Sequence, residues 1–160
     1  MDTEQYAATA EFYDYVVPYQ ARQDVAFFVE AAQASGGRFI LDLFNPSLPS
    51  LAREVTGEEQ GDEPEFTMPD GRRVLRRNRI VARDVFKQYQ DIELIYTVTH
   101  PDGRTERFVH AFPMRYLFRY EVEHLLARCG FEVEALYADY YGSPYGSKYP
   151  GELIFVARKI

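Results

Sequence analysis

A chain of 160 residues, 46% hydrophobic and 27% charged, is long enough to bury most of its unfolded-state surface in a globular core. A net charge of −7 disfavours nucleic-acid or anionic-membrane partners for the chain as a whole, and one cysteine excludes an internal disulfide and cysteine-based zinc spacing. No apolar run nears the ~20 residues that span a bilayer and no signal-peptide core opens the chain, so the expectation is one cytoplasmic domain over residues 1–160.

Residues 3–17 carry Tyr6, Phe12, Tyr13, Val16 and Val17, and Pro18 closes the segment, which reads as a short helix. Asp24 then reads as an N-cap, followed by Val25, Phe27, Phe28, Ala31 and Ala32 at helical spacing, with Gly36 and Gly37 as the stop. The helical segment thus covers residues 1–37. The run RFILDLF is apolar at nearly every position, as in a strand covered on both faces. It ends in Asp42, Asn45 and Pro46, which serve either as ligand groups at a strand's carboxyl end or as a turn with Asp42 as its cap.

Residues 47–71 are the least regular part, with the acidic loop EEQGDEP and the turn signal PDG. From Arg73 the chain alternates in period two through VLRRNRIVARDVF, DIELIYTVTH and RTERFVHAF, an antiparallel meander. HPDGR joins the last two, with Gly103 supplying a positive φ. Arg72, Arg73, Arg76, Arg77, Arg79 and Arg83 either form a nucleic-acid patch or mark a solvated edge strand whose charges meet the preceding acidic segment.

After Pro113 the pattern turns helical: RYEVEHLLARCGF puts Val122, Leu125 and Leu126 on one face, with Gly130 as the C-terminal cap. Cys129 beside that cap reads as a packed thiol. FEVEALYADY is the next strand, and a Gly/Pro/Tyr/Ser loop leads to a final strand, ELIFVARK. His100, His110 and His124 are scattered without metal-ligand spacing.

Laid out this way, the chain resembles the class I S-adenosylmethionine-dependent methyltransferases, the small-molecule members with an antiparallel insertion. GGRFILDLFNP is similar to that family's fifth strand, MRYLFRYEVEHLLARCGFEVEALYADYYGSPY to its last helix and sixth strand, and ELIFVARK to its closing seventh strand. The opening residues resemble its amino-terminal helices. The resemblance implies an α/β fold: a partial Rossmann-like methyltransferase sheet with strands in the order five, seven, six over residues 38–46 and 114–160, amino-terminal helices, and the meander of residues 65–113 as an insertion.

The family's glycine-rich cofactor turn, its ribose-binding acid and its first four strands have no counterpart, because Gly36-Gly37 leads straight into the fifth-strand match. A glycine turn lets backbone N–H groups approach a ligand and a strand-end carboxylate fixes the ribose, so the expectation is that this chain alone binds no S-adenosylmethionine. The candidate substrate-side residues are Asp42, Asn45, His110, Arg115, Asp139 and Tyr140. His110 acts as a general base only if a pocket opens beside Phe108 and Phe112.

The reading is a truncated methyltransferase-like protein that keeps the substrate-side and association half. The alternatives are an active small-molecule methyltransferase completed by another chain and, more weakly, a nucleic-acid-binding module using the arginine strand. A fifth strand without its usual neighbour leaves an apolar edge, so a homodimer through residues 38–44 and the amino-terminal helices is expected.

Overall fold

The computed structural model describes residues 7, 9–12, 15, 37–61 and 63–160. Of the first expected helix, residues 7 and 9–12 are helical; the second, with its Asp24 cap and Gly36 stop, lies outside the described residues. The chain divides into two compact units, residues 1–21 with 54–115, and residues 22–53 with 116–160. Among the described residues no helix is long and apolar enough to cross a membrane.

The first unit is a five-stranded antiparallel sheet built from β2 (Gln60–Gly61), β3 (Phe66–Thr67), β4 (Arg73–Asp84), β5 (Tyr89–Thr99) and β6 (Thr105–Arg115). Period-two alternation sends Tyr96 and Val98 of β5 to one face, where they meet Val74 of β4. Phe12 completes that core, fully buried, with its ring centroid 5.2 Å from Tyr96 and 5.9 Å from Phe108. The β5–β6 hairpin turns where expected: Gly103 has φ 87° and donates to the His100 carbonyl at 2.9 Å. β6 runs two residues past Pro113, to Arg115.

Two expectations need correction in this unit. β4 is not an edge strand, since β5 pairs with one side of it and the short β2 and β3 with the other. The acidic segment does meet the arginines: Arg73 pairs with Glu65 at 3.2 Å, Arg76 with Glu63 at 2.8 Å and Arg107 with Glu59 at 2.7 Å. That segment is also more regular than expected, because its residues supply β2 and β3.

The second unit is a three-stranded sheet in the order β1-β8-β7, formed by β1 (Arg38–Leu43), β7 (Phe131–Tyr137) and β8 (Leu153–Lys159). This is the five, seven, six order that the family resemblance implies. Leu41 and Leu43 of β1, Leu153, Phe155 and Ala157 of β8, and Val133 and Leu136 of β7 share one face. Helix α2 (Arg119–Arg128) covers that face with Val122 and Leu126. Four residues apart, those two project from one stripe. Leu125 falls beside the stripe and is exposed, against expectation.

Glu121 accepts a hydrogen bond from the Phe118 N–H at 3.0 Å, satisfying one of the orphan donors at the start of α2. Gly130, with φ 77°, ends the helix. Cys129 is exposed rather than packed. Its carbonyl receives the Lys159 ammonium at 2.8 Å. On the opposite face of the sheet, Arg38 and Arg158 grip Glu134, and Arg158 also reaches Glu132 at 2.8 Å. The Arg38 guanidinium holds the Glu134 carboxyl below the usual carboxylate range. The irregular segment after β1 opens with a short helix that the sequence reading does not name: Ser47 accepts from the Ser50 N–H at 3.4 Å and Pro49 sits in the first turn of α1 (Leu48–Ala52).

Candidate substrate-side site

β1 and β7 both run antiparallel to β8, so their carboxyl ends emerge on the same side, beside the start of β8. Leu43 pairs with Leu153 and Tyr137 with Ile154 in that register. Asp42, Asn45, Asp139 and Tyr140 therefore gather at one edge of the sheet.

The Tyr140 hydroxyl donates to Asp42 Oδ2 at 2.5 Å. Asn45 Nδ2 donates to the Pro150 carbonyl at 2.5 Å, and the Leu48 N–H donates to the Tyr149 hydroxyl at 2.7 Å. These bonds tie the loop between β7 and β8 down onto the end of β1. Asp42 thus caps no turn of its own; it holds the far strand's loop.

Asp139 is the loop's organiser. Its Oδ1 accepts from the N–H groups of Tyr141 and Ser143, both at 3.0 Å, and its Oδ2 faces the Lys148 ammonium at 2.5 Å. The ammonium first, then those N–H groups, hold the carboxyl well below the usual carboxylate range. Glu152, at the foot of β8, is pushed the other way, first by burial and then by the negative charge of Asp42. Its N–H donates to the Ala138 carbonyl at 2.7 Å. Gly151 has φ 63°, where an L side chain is strained, and a Cβ there would also lie a tight 3.1 Å from both Cβ and O of Ala138.

His110 and Arg115, the other two candidates, belong to the five-stranded unit. His110 is buried on β6 with its ring 5.1 Å from that of Phe112. Arg115 ends β6 opposite Tyr89, its guanidinium carbon 5.9 Å from the ring centroid. Sequence reasoning passed over Lys148 and Glu152. A signal for the first existed: Lys148 is the only cation between Asp139 and Glu152.

Chemically the edge offers carboxylate, phenol and amide groups to a polar small molecule. The described residues contain no cluster able to hold a metal ion. Nor do they fit S-adenosylmethionine in the manner of its glycine-turn sites. No described strand passes through a glycine-rich turn into a helix, and Gly142 and Gly146 of the long loop face open space rather than forming a cradle.

No protein-family model and no curated protein matches the chain. Solved structures share its fold. DesVI from Streptomyces venezuelae superposes with a TM-score of 0.52 at 19% identity, covering 78% of this chain and 45% of its own. An S-adenosylmethionine-dependent methyltransferase from Clostridium acetobutylicum ATCC 824 gives 0.53 at 15% identity, with 78% and 45% covered. CalS10 of Micromonospora echinaspora, an amino pentose methyltransferase involved in calicheamicin biosynthesis whose structure has S-adenosylmethionine bound, gives 0.51 at 20% identity, with 84% and 49% covered. The chain spans about half the length of these structures. Its fold is a mixed α/β one, a partial Rossmann-like methyltransferase fold.

Proposed function

We propose that this chain is the acceptor-side part of a small-molecule methyltransferase fold, working without a cofactor site of its own. One observation carries this reading: in the sequence Gly36-Gly37 leads directly into β1, and among the described residues the sheet that β1 enters has three strands and no glycine-rich turn into a helix. What remains is the edge where Asp42, Tyr140, Asn45 and Glu152 meet, the side of an open α/β sheet that faces ligands. A cytoplasmic location belongs to the same reading.

Calorimetric titration of the purified chain with S-adenosylmethionine tests it. The expected result is no one-to-one site tighter than about 0.1 mM, roughly 5.5 kcal/mol. A tighter stoichiometric site overturns the reading.

A second reading is an active methyltransferase whose cofactor half another polypeptide supplies. It is supported by the gathering of Asp42, Asn45, Asp139 and Tyr140 at the carboxyl ends of β1 and β7, where open α/β sheets place their ligands. Transfer of a labelled methyl group in the presence of a co-purifying protein, and none without it, would select this second reading. The arginines of β4 lend little support to nucleic-acid binding, since Arg73, Arg76 and Arg79 each face a carboxylate.

A further inference from the structure

Among the described residues β1 has a strand partner on one side only, β8. Its apolar side chains are not fully covered: Phe39 is 44% exposed, and Phe44, just past the strand's end, 49%. Between them stands no lysine, proline or bulge of the kind that protects sheet edges.

The charges on this strand are self-complementary. Arg38 and Asp42 are its ionisable residues, both exposed, and they share a face with Ile40 between them. If a second β1 runs antiparallel alongside, the register decides which charges meet. Pairing Ile40 with itself sets each Arg38 opposite the other strand's Asp42, and each Phe39 opposite Leu41. Moving the two-fold axis to Asp42 or to Arg38 places like charges face to face. Moving it to Leu41 sets Arg38 against Phe44 and Asp42 against Ile40. Opposite charges directly across a strand pair are favourable and like charges unfavourable. A one-residue change of register also carries the side chains to the wrong face.

We propose that β1 pairs with β1 of a second copy of this chain, antiparallel about a two-fold axis at Ile40, with Arg38 of each copy opposite Asp42 of the other. The pairing joins two three-stranded sheets into one continuous six-stranded sheet and gives the isologous interface usual in homodimers. It places the Asp42–Tyr140 edge of each copy at the junction, so the polar edge of one protomer is flanked by the strand of the other.

Light scattering at micromolar concentration gives the first readout, and the expected mass is that of a dimer. Arg38→Asp and Asp42→Arg, made separately, each set two like-charge pairs across the axis and weaken self-association by about tenfold or more. Mixing the two variants restores a dimer. The first variant carries acids at both positions and the second carries arginines at both, so every pair across the axis is again opposite in sign. A restored heterodimer also shows that both variants are folded.

In a Cys129→Ser background, Ile40→Cys becomes a covalent dimer on oxidation, since two residues facing each other at the axis bring their Cβ atoms within disulfide range. Phe44→Cys, which the same register carries far from its own copy, does not. A wild-type monomer overturns the proposal. So does a dimer indifferent to both charge reversals, or one cross-linked through residue 44 and not residue 40. The cofactor titration does not depend on this outcome, so either can fail alone.

Discussion

Tyr140 donates its hydroxyl proton to Asp42 Oδ2 across 98 residues of sequence, so one 2.5 Å hydrogen bond fastens the loop after β7 to the end of β1. Truncating Tyr140→Phe or replacing Asp42→Asn should each cost about 1 kcal/mol, the net worth of a partly exposed bond to a charged acceptor. A double-mutant cycle read by urea unfolding is expected to return a coupling of about 0.5–1 kcal/mol. Strictly additive variants would mean that the bond is idle in solution.

The two acids of the loop should give it opposite pH responses. The Asp139 carboxyl is depressed in the folded chain by Lys148 and its N–H donors. Its contribution is therefore present above the ordinary unfolded range, about pH 4, and is lost as the pH falls below that. Glu152 is raised by burial and by Asp42. Its contribution is present below about pH 4 and is lost as the pH climbs through its raised value. Glu152→Gln should accordingly melt higher than the parent at neutral pH, with the gap closing toward pH 4. Asp139→Asn should flatten the acid limb of the same melting curve.

Gly103→Ala should destabilise the five-stranded unit by about 1 kcal/mol, because alanine at φ 87° is strained although nothing lies within 4 Å of its Cβ. Gly151→Ala carries the same backbone penalty plus the close approach to Ala138, so it should cost more. Equal unfolding midpoints for the two variants would count against the steric part of this account.

Phe12→Ala should cost about 3–5 kcal/mol. Phe12 is fully buried and ring-packed on Tyr96 and Phe108, so its loss empties a cavity in the core of the meander. The measurement is chemical denaturation, and a loss below about 1 kcal/mol would show that the helical turn around residues 9–12 contributes little to that core.

Much of the scaffold was legible because period and punctuation carry it. RFILDLF, FEVEALY and ELIFVARK read as strands, the Gly103 turn announced its hairpin, and Gly130 marked the end of α2. β2 and β3 were not legible, since a two-residue strand has no period to detect and is defined only by its pairing with β4. Leu125 misled for a similar reason: three residues from Val122 is near the buried stripe without being on it. At the site, Asp42 and Tyr140 could be named as strand-end residues. Their bond to each other, and the roles of Lys148, Tyr149 and Glu152, depend on how an irregular loop closes over the sheet. Those contacts are set by tertiary geometry, which leaves no spacing rule in the chain. His110 illustrates the converse, a histidine flanked by aromatics that the fold uses in the body of a sheet.

The pairing of β7 with β8 slips between Val133 and Ala135, so one residue, Glu134, has no opposite number. That slip reverses the alternation of everything downstream. Without it, the faces that hold Phe131 and Val133 would continue through Ala135 and Tyr137, and Leu136 would leave the core it fills. The strand therefore keeps time in two phases, and Glu134 is the beat at which they change. Deleting Glu134 would leave Leu136 opposite Phe155 and Tyr137 opposite Ile154, so the strand would run regular with every core residue still inward, at the loss of the carboxylate that Arg38 and Arg158 hold. Deleting Val133 instead would draw Glu134 into its place opposite Ala157, on the core face. For a lineage carrying this fold, what a one-residue deletion in β7 costs is thus decided by which side of the extra residue it falls on.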